Sequence, residues 1–255
     1  MTGATSRRAP WWGSIAGSIG FLTVFPVPQV AMSPTHTQRS LALFPLIGAC
    51  IGALLGGLGI VLSHILPAGP IAAVLIAAGA LVTGGLHLDG LMDTADGLCG
   101  DRTPEQRLTI MRDSRVGAFG AITGGVAILA QFACLSELTG HARFTALVVA
   151  AAMSRWAMLL ALVIFPAART SGVGATFHAA ATRTAGIAGT LFVILLALVS
   201  GRLGVIALAA STVAVLGCGH LLTRRLGGLT GDSYGAIAVI TETAVLFVAV
   251  ALAIP

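Results

Sequence analysis

The sequence predicts an all-α protein, a polytopic membrane helical bundle of about seven transmembrane helices with short interfacial helices. Of its 255 residues, 56% are hydrophobic and 9% are charged, and the mean hydropathy is +0.98. A soluble domain carries roughly 25% charged residues, so this charge content cannot cover a water-exposed surface. Several stretches reach the ~20 apolar residues that cross a bilayer. These observations exclude a soluble enzyme and a disordered chain, and the length suits one integral-membrane domain over residues 1–255.

Hydropathy places seven spans along the chain, each with ends uncertain by a few residues. The spans are Leu41–Leu66, Pro70–Leu86, Val116–Leu138, Phe144–Phe165, Ala185–Ser200, Gly204–Leu222 and Tyr234–Ile254. Residues 1–40 form an N-terminal segment in which Trp11–Val27 is apolar but rich in glycine. Tryptophan favours the membrane interface, so we expect this segment to be interfacial or re-entrant. A signal peptide is the alternative.

The arginines predict the orientation of the bundle. All 14 basic residues are arginine, and eleven of them fall on the side that holds the N-terminal segment and the loops after spans 2, 4 and 6. The opposite side holds Arg143 and Arg202, and Arg155 lies within a span. Positive loops face the cytoplasm, so the arginine-rich side is predicted to be cytoplasmic. The longest basic runs are pairs, which argues against nucleic-acid binding, and four scattered cysteines predict apolar filling rather than ligands or disulfides.

The acidic residues are concentrated in one short region. Six of the nine lie between Asp89 and Asp113. Asp89, Asp93 and Asp96 follow an i, i+4, i+7 pattern, which places them on one face of a helix. Three carboxylates on one face repel each other, and a divalent cation removes that repulsion. Hard oxygen ligands favour Mg²⁺ or Mn²⁺; the alternative is a solvated amphipathic helix or pairing with nearby arginines.

Residues 87–115 are predicted to form a cytoplasmic loop that carries acids and arginines of an active site. Thr103–Gln106 has the form of a capping box with proline at the first helical position, so a short helix should run from Pro104 to about Ser114. Arginines beside carboxylates and a metal are suited to clamping a diphosphate. We assign that role to Arg112 and Arg115 and leave it open for Arg107, since pairing with acids or lipid headgroups is the alternative.

A second candidate region is the loop between the last two spans. It combines Arg224 and Arg225 with four glycines, and glycine-rich backbone beside arginine can cradle a phosphate or nucleotide. Asp232 follows in the same loop. It can serve as a metal ligand, as a general base, or as the cap of the last helix, and these readings stay open.

Three further ionisable residues stand out. His87 adjoins the acidic stripe and can donate or accept a proton. Arg155 and Glu242 lie inside spans, where charged residues are candidates for function. The alternative is that these two side chains neutralise one another.

Three motifs resemble the cobalamin synthase family, the adenosylcobinamide-GDP ribazoletransferases. They are TGGLHLDGLMDTADG at residues 83–97, MRDSRVG at 111–117 and RLGGLTGDSYGA at 225–236. The segments Phe21–Pro28, Phe44–Gly48 and Ser154–Trp156 are also similar. The resemblance extends from about Gly20 to Val250, nearly the whole chain.

The resemblance implies a multi-pass inner-membrane enzyme that requires Mg²⁺. It implies transfer of phosphocobinamide from adenosylcobinamide-GDP to α-ribazole or its 5′-phosphate, with release of GMP, so the partners are small molecules and membrane lipid. On this view Asp89, Asp93 and Asp96 hold Mg²⁺, and the general base is Asp113, Asp232 or His87. A CDP-alcohol phosphotransferase-like enzyme and a cation-coupled transporter are the competing readings.

Overall fold

The computed structural model describes residues 12–28 and 33–253, and within these every named element is an α-helix. The helices are α1 (Gly13–Leu22), α2 (Pro34–Leu62), α3 (Ala68–Thr83), α4 (Leu86–Leu98), α5 (Pro104–Ile110), α6 (Ala118–Glu137), α7 (Gly140–Ile164), α8 (Val173–Ala180), α9 (Arg183–Val199), α10 (Gly201–Leu226) and α11 (Gly231–Ala253). Residues 1–11, 29–32, 254 and 255 lie outside the described residues, and they include Trp11, Ile254 and two of the eleven arginines on the predicted cytoplasmic side, Arg7 and Arg8.

The predicted helical membrane fold is confirmed. In the described chain, α2, α6, α7, α10 and α11 are each long and apolar enough to cross a bilayer. Two further pairs, α3 with α4 and α8 with α9, bend by 90° and 92° and bring the number to seven if each pair is one span. Each predicted span overlaps mainly with one helix, but the bounds differ. The helix α2 starts before its predicted span, at Pro34, and ends four residues before the predicted Leu66, at Leu62. The helix α3 ends at Thr83, before the predicted Leu86, because hydropathy records apolar character and does not detect the bend that follows.

The helix of the N-terminal segment is too short to cross a bilayer. With 10 residues, α1 is about 15 Å long, whereas the hydrocarbon core is about 30 Å thick. The helix packs on α2, where the Ser18 hydroxyl donates to the Ser40 carbonyl oxygen at 2.9 Å. An interfacial or re-entrant position remains the expectation for this segment.

A stripe of glycines lets α2 approach the backbone of α7. Gly48, Gly52 and Gly56 lie four residues apart on α2, and a Cβ at Gly48 or Gly52 would collide with a carbonyl group of α7. Small residues at such spacing allow close helix packing in membranes. Much of α7 is consequently buried at the centre of the bundle.

The bend between α3 and α4 is built on two glycines. Gly84 and Gly85 have φ values of +63° and +69°, the left-handed region that only glycine enters readily. The acidic helix α4 therefore leaves the direction of α3 at 90°. This turn carries the three aspartates across one end of the bundle.

The short helix α5 begins as predicted but ends early. Its capping box between Thr103 and Gln106 is present. It ends at Ile110, so the expected end at about Ser114 is wrong. The Asp113 side chain accepts a hydrogen bond from the Arg115 backbone at 3.1 Å, and such local bonds compete with helix formation.

The two charged residues inside spans neutralise each other. Arg155 on α7 donates to the Glu242 carboxylate on α11 at 2.8 Å. The pair borders a small cavity of about 90 Å³ that His87 and Gln131 also line. The four cysteines are free thiols, of which Cys134 is buried and Cys50 is exposed.

Candidate active site

Six separated parts of the chain line a larger cavity of about 430 Å³. They are the end of α1, one residue of α2, the start of α4, two residues of α7, the segment from Arg169 through α8, and the start of α11 with the loop before it. Of the predicted site residues, the cavity brings together His87, Asp89 and Asp232. Arg169, which the sequence analysis did not select, also lines it.

A backbone bridge places Arg169 beside Asp232. The Leu229 amide donates to Pro166 and the Ala168 amide donates to Leu229, each at 2.8 Å. The bridge ties the loop after α7 to the loop before α11. As a result, the Arg169 guanidinium lies 3.9 Å from the Asp232 carboxylate and donates to the Leu108 carbonyl oxygen at 2.9 Å.

Asp232 does not cap its own helix. The hydroxyl of Thr230 accepts from the Ser233 amide at 3.2 Å and so caps α11. The same hydroxyl lies 3.3 Å from the Asp232 carboxylate, to which it donates. The interpretation of Asp232 as the cap of the last helix is therefore wrong. Thr230 is the N-cap of α11, and the Asp232 side chain lies at the cavity.

A close contact between α4 and α11 brings the acids together. A Cβ at Gly90 would lie 2.7 Å from the Asp232 carbonyl oxygen, so only glycine fits there without displacement. The negative charges of Asp89, Asp232 and Asp96 all act on Asp93. The contact thus gathers carboxylates from two helices, whereas the sequence pattern grouped those of one helix.

Asp96 is engaged with the start of α6. Its carboxylate accepts hydrogen bonds from the amides of Gly117 and Gly120, both at 2.8 Å. A Cβ at either glycine would collide with the carboxylate. An anion at a helix N-terminus satisfies free amides and is stabilised by the helix dipole, so Asp96 docks α6 onto α4.

The donor chemistry suits a hard cation. Within residues 12–28 and 33–253, no group of three His, Cys, Asp or Glu side chains is arranged to hold a metal ion. Carboxylate oxygens are nevertheless what Mg²⁺ prefers, and mutual repulsion among Asp89, Asp93 and Asp232 is what a cation relieves. The magnesium site stays a prediction, and Asp96 is its least available oxygen donor.

The segment after α5 divides its charged residues between two positions. Asp113 and Arg115 form an exposed ion pair at 2.7 Å that does not line either cavity. Hydrogen bonds from the Arg115 side chain and backbone lower the pKa of Asp113 to about 2. Burial and, second, the positive charge of nearby Arg112 lower the pKa of Arg169. Arg112 therefore lies near a residue that lines the larger cavity.

The remaining predicted residues differ in environment. Arg107 is buried and donates to the carbonyl oxygens of Gly97 at 3.1 Å and Gly100 at 2.9 Å, so it caps the end of α4 rather than facing a phosphate. Arg224 and Arg225 are exposed at the end of α10 and line neither cavity. His87 is buried, lines both cavities, and has no hydrogen-bond partner on either ring nitrogen in the described chain.

Comparison with known proteins identifies the family. A family model described as cobalamin-5-phosphate synthase matches residues 14–250. The adenosylcobinamide-GDP ribazoletransferase of Roseiflexus sp. (strain RS-1) is 40% identical, with 95% of this chain and 92% of the relative covered. Proteins of the same name from Sinorhizobium medicae (strain WSM419) and Escherichia coli O127:H6 are 39% and 37% identical, covering 96% and 86% of this chain and 98% and 91% of the relatives.

No solved structure matches the chain significantly. The sequence matches, however, include every residue that lines the larger cavity. Their agreement in name and coverage shows that the chain belongs to the cobalamin-5-phosphate synthase family and is a transferase.

Proposed function

We propose that this membrane transferase of cobalamin biosynthesis moves phosphocobinamide from adenosylcobinamide-GDP to α-ribazole or its 5′-phosphate and releases GMP. The observation that carries the proposal is the larger cavity, where Arg169 meets Asp89 and Asp232 at one end of a membrane bundle. A diphosphate needs cationic groups around its oxygens and a means of neutralising the leaving phosphate. The names of the relatives support the same reaction.

The arginines hold the donor substrate in this proposal. Arg169 binds the diphosphate in the cavity, since its guanidinium is fixed by the Leu108 carbonyl oxygen and directed at the acidic group. Arg112 adds positive charge from the neighbouring segment. Arg115, Arg224 and Arg225 are exposed, so in this proposal they attract the anionic donor by long-range electrostatics and do not bind it directly.

The carboxylates hold the cation in this proposal. Asp89, Asp93 and Asp232 would bind Mg²⁺, and Asp96 keeps α6 against their helix. When bound, Mg²⁺ supplies positive charge that stabilises the diphosphate and the leaving GMP. We expect the cavity to face the cytoplasm from the inner membrane, because it lies on the arginine-rich side.

His87 and Asp232, which both line the cavity, are the two candidates for the general base in this proposal. Both ring nitrogens of His87 are buried without a partner in the described chain, and the Asp232 carboxylate lies 3.9 Å from the Arg169 guanidinium. The acceptor's ribose hydroxyl gives its proton to this base, its oxygen bonds to the cobinamide-linked phosphorus, and the bond from that phosphorus to the GMP oxygen breaks. Asp113 is not a candidate, because it lies in an exposed ion pair outside both cavities.

The test is an assay of GMP release by the membrane-inserted protein given adenosylcobinamide-GDP and α-ribazole, with and without Mg²⁺. We expect release that requires both the acceptor and Mg²⁺, and we expect Asp93→Asn to abolish it while the protein remains inserted. Asp113→Asn is the control. This variant should keep wild-type activity, because Asp113 lies in an exposed ion pair outside both cavities. Its pH profile should also be unchanged from about pH 5 to 8, because the pKa of Asp113 is lowered to about 2 and the group stays ionised over that range.

Four outcomes would contradict the proposal. Activity that survives chelation of Mg²⁺, or full activity in Asp93→Asn, would remove the metal role. Release of CMP from a CDP-alcohol in place of GMP from the corrinoid donor would identify a different transferase. Substrate flux across vesicles without nucleotide cleavage would identify a transporter.

A further inference from the structure

The larger cavity has an aromatic wall in addition to its charged residues. The wall consists of Phe21 at the end of α1, Phe44 on α2 and Phe177 on α8, which all line the cavity. The ring centroids of Phe21 and Phe177 are 4.3 Å apart, and Phe44 lies 5.6 Å and 5.9 Å from them. Three different helices therefore contribute one ring each to the same surface, and α8 is distant in sequence from the other two.

The wall presents aromatic surface to the cavity. Phe44 is completely buried, whereas Phe21 and Phe177 are only partly buried. Met158 and Leu162 of α7 add apolar lining. Flat rings bind such surfaces by stacking or edge contacts, so this part of the cavity is suited to an apolar ring system.

A tyrosine of the same cavity has a buried hydroxyl without a partner. Tyr234 lines the cavity, is 4% exposed, and its hydroxyl makes no hydrogen bond in the described chain. Buried polar groups in folded proteins are nearly always paired, so an unpaired one needs a ligand or water. The cavity therefore has one unpaired tyrosine hydroxyl among its lining residues in addition to the aromatic wall.

The substrates of the proposed reaction contain three candidate groups for this wall. A corrin ring system with its substituents is too large for a cavity of about 430 Å³, which is near the lower end of small-molecule sites. Guanine is recognised through the several donors and acceptors on its edge, and phenylalanines match none of these. The aromatic base of the acceptor nucleoside is flat, largely apolar and has one free ring nitrogen.

We propose that the aromatic wall is the subsite for the base of the acceptor, with Phe177 as the residue that most directly determines which base is accepted. This proposal rests on the proposed function. The base stacks against Phe177 and Phe21, and the Tyr234 hydroxyl donates to its free ring nitrogen. The ribose then lies toward His87 and the charged residues, where its hydroxyl reacts.

The test measures GMP release by the full chain in membranes while acceptor and donor concentrations are varied separately. In Phe177→Leu the KM for α-ribazole should rise roughly ten- to a hundredfold, the usual effect of losing a stacking ring. The KM for adenosylcobinamide-GDP should change less than about threefold. Phe177→Tyr keeps the ring and should keep the wild-type KM, and Phe247→Leu, an exposed phenylalanine on α11, is the matched control.

A second comparison varies the acceptor base. The wild type should prefer a nucleoside with a fused two-ring base over one with a single imidazole ring, and Phe177→Leu should lose most of that preference. A rise in the donor KM alone, or an unchanged acceptor KM in Phe177→Leu, would overturn the proposal. Absence of GMP release from the wild type would instead refute the proposed function.

Discussion

At the scale of single residues, Arg169 is the clearest addition to the site. It sits in the loop after α7, yet the backbone bridge to Leu229 and the hydrogen bond to Leu108 hold it at the cavity. Arginine presents a planar fork of donors that matches two phosphate oxygens, and lysine does not reproduce this geometry. The side chain is therefore suited to orienting a diphosphate as well as to neutralising it.

Replacing Arg169 by lysine should impair binding of the donor. We expect kcat/KM for adenosylcobinamide-GDP to fall roughly ten- to a hundredfold, corresponding to about 1.5–3 kcal/mol for a hydrogen bond to a charged group. Arg202→Lys, an exposed change at the opposite end of the bundle, is the control. An Arg169→Lys variant with unchanged donor kinetics would show that this side chain only supports the fold.

The sequence identified the site residues that stand within short motifs. His87, Asp89 and Asp93 stand in one motif, and their helical spacing made them recognisable. Arg169 was missed because its partner Leu108 is 61 positions away and ten other arginines share the same side. The docking role of Asp96 was missed for a similar reason, since the amides that it accepts from belong to another helix.

At the scale of elements, α4 is the helix on which the site depends, and four contacts fix it. Gly84 and Gly85 set its direction, Arg107 caps its end, Asp96 ties it to α6, and Gly90 seats it on α11. Hydropathy predicted the seven spans, the spacing of Asp89, Asp93 and Asp96 predicted that they share one face of a helix, and the capping box predicted the start of α5. They did not predict these tertiary contacts, and they placed the end of α5 too late because the turn at Asp113 depends on a local side-chain bond.

Gly90→Ala tests the contact between α4 and α11. The added methyl group must push α4 away from the Asp232 backbone, which separates Asp89 from Asp232. We expect the rate of GMP release to fall at least about tenfold, since small displacements of catalytic groups cost one to two orders of magnitude. Gly125→Ala on α6 meets open space and should retain activity. Equal activity of the two variants would contradict the importance of this close approach.

At the scale of the whole molecule, charge and polarity divide the bundle. The cavity and most arginines lie at one end, and the ion pair of Arg155 and Glu242 joins α7 to α11 within the apolar interior. Breaking a fully buried pair by removing one partner typically costs about 3–5 kcal/mol, and the cost here should be smaller because the Glu242 side chain is 26% exposed. The pair therefore supports the packing of two helices that border the site.

The orientation of this division is testable with single cysteines placed in a variant lacking the four native ones. Arg224→Cys and Arg202→Cys replace exposed residues at opposite ends of α10. A membrane-impermeant maleimide should label position 224 only from the cytoplasmic side and position 202 only from the outer side. The reverse pattern would invert the proposed orientation, and labelling of both from one side would show that α10 does not cross.

The hydrogen bonds between Asp96 and the first turn of α6 also limit which substitutions this sequence can accept during evolution. A longer acid would not fit against two glycine amides, and a side chain at Gly117 or Gly120 would occupy the space of the carboxylate. If one of these three residues is replaced, the fit between the carboxylate and the two amides is lost, and the other two residues are no longer constrained by it. The three should consequently evolve as a unit, with substitutions that are harmful singly and tolerated only in combination.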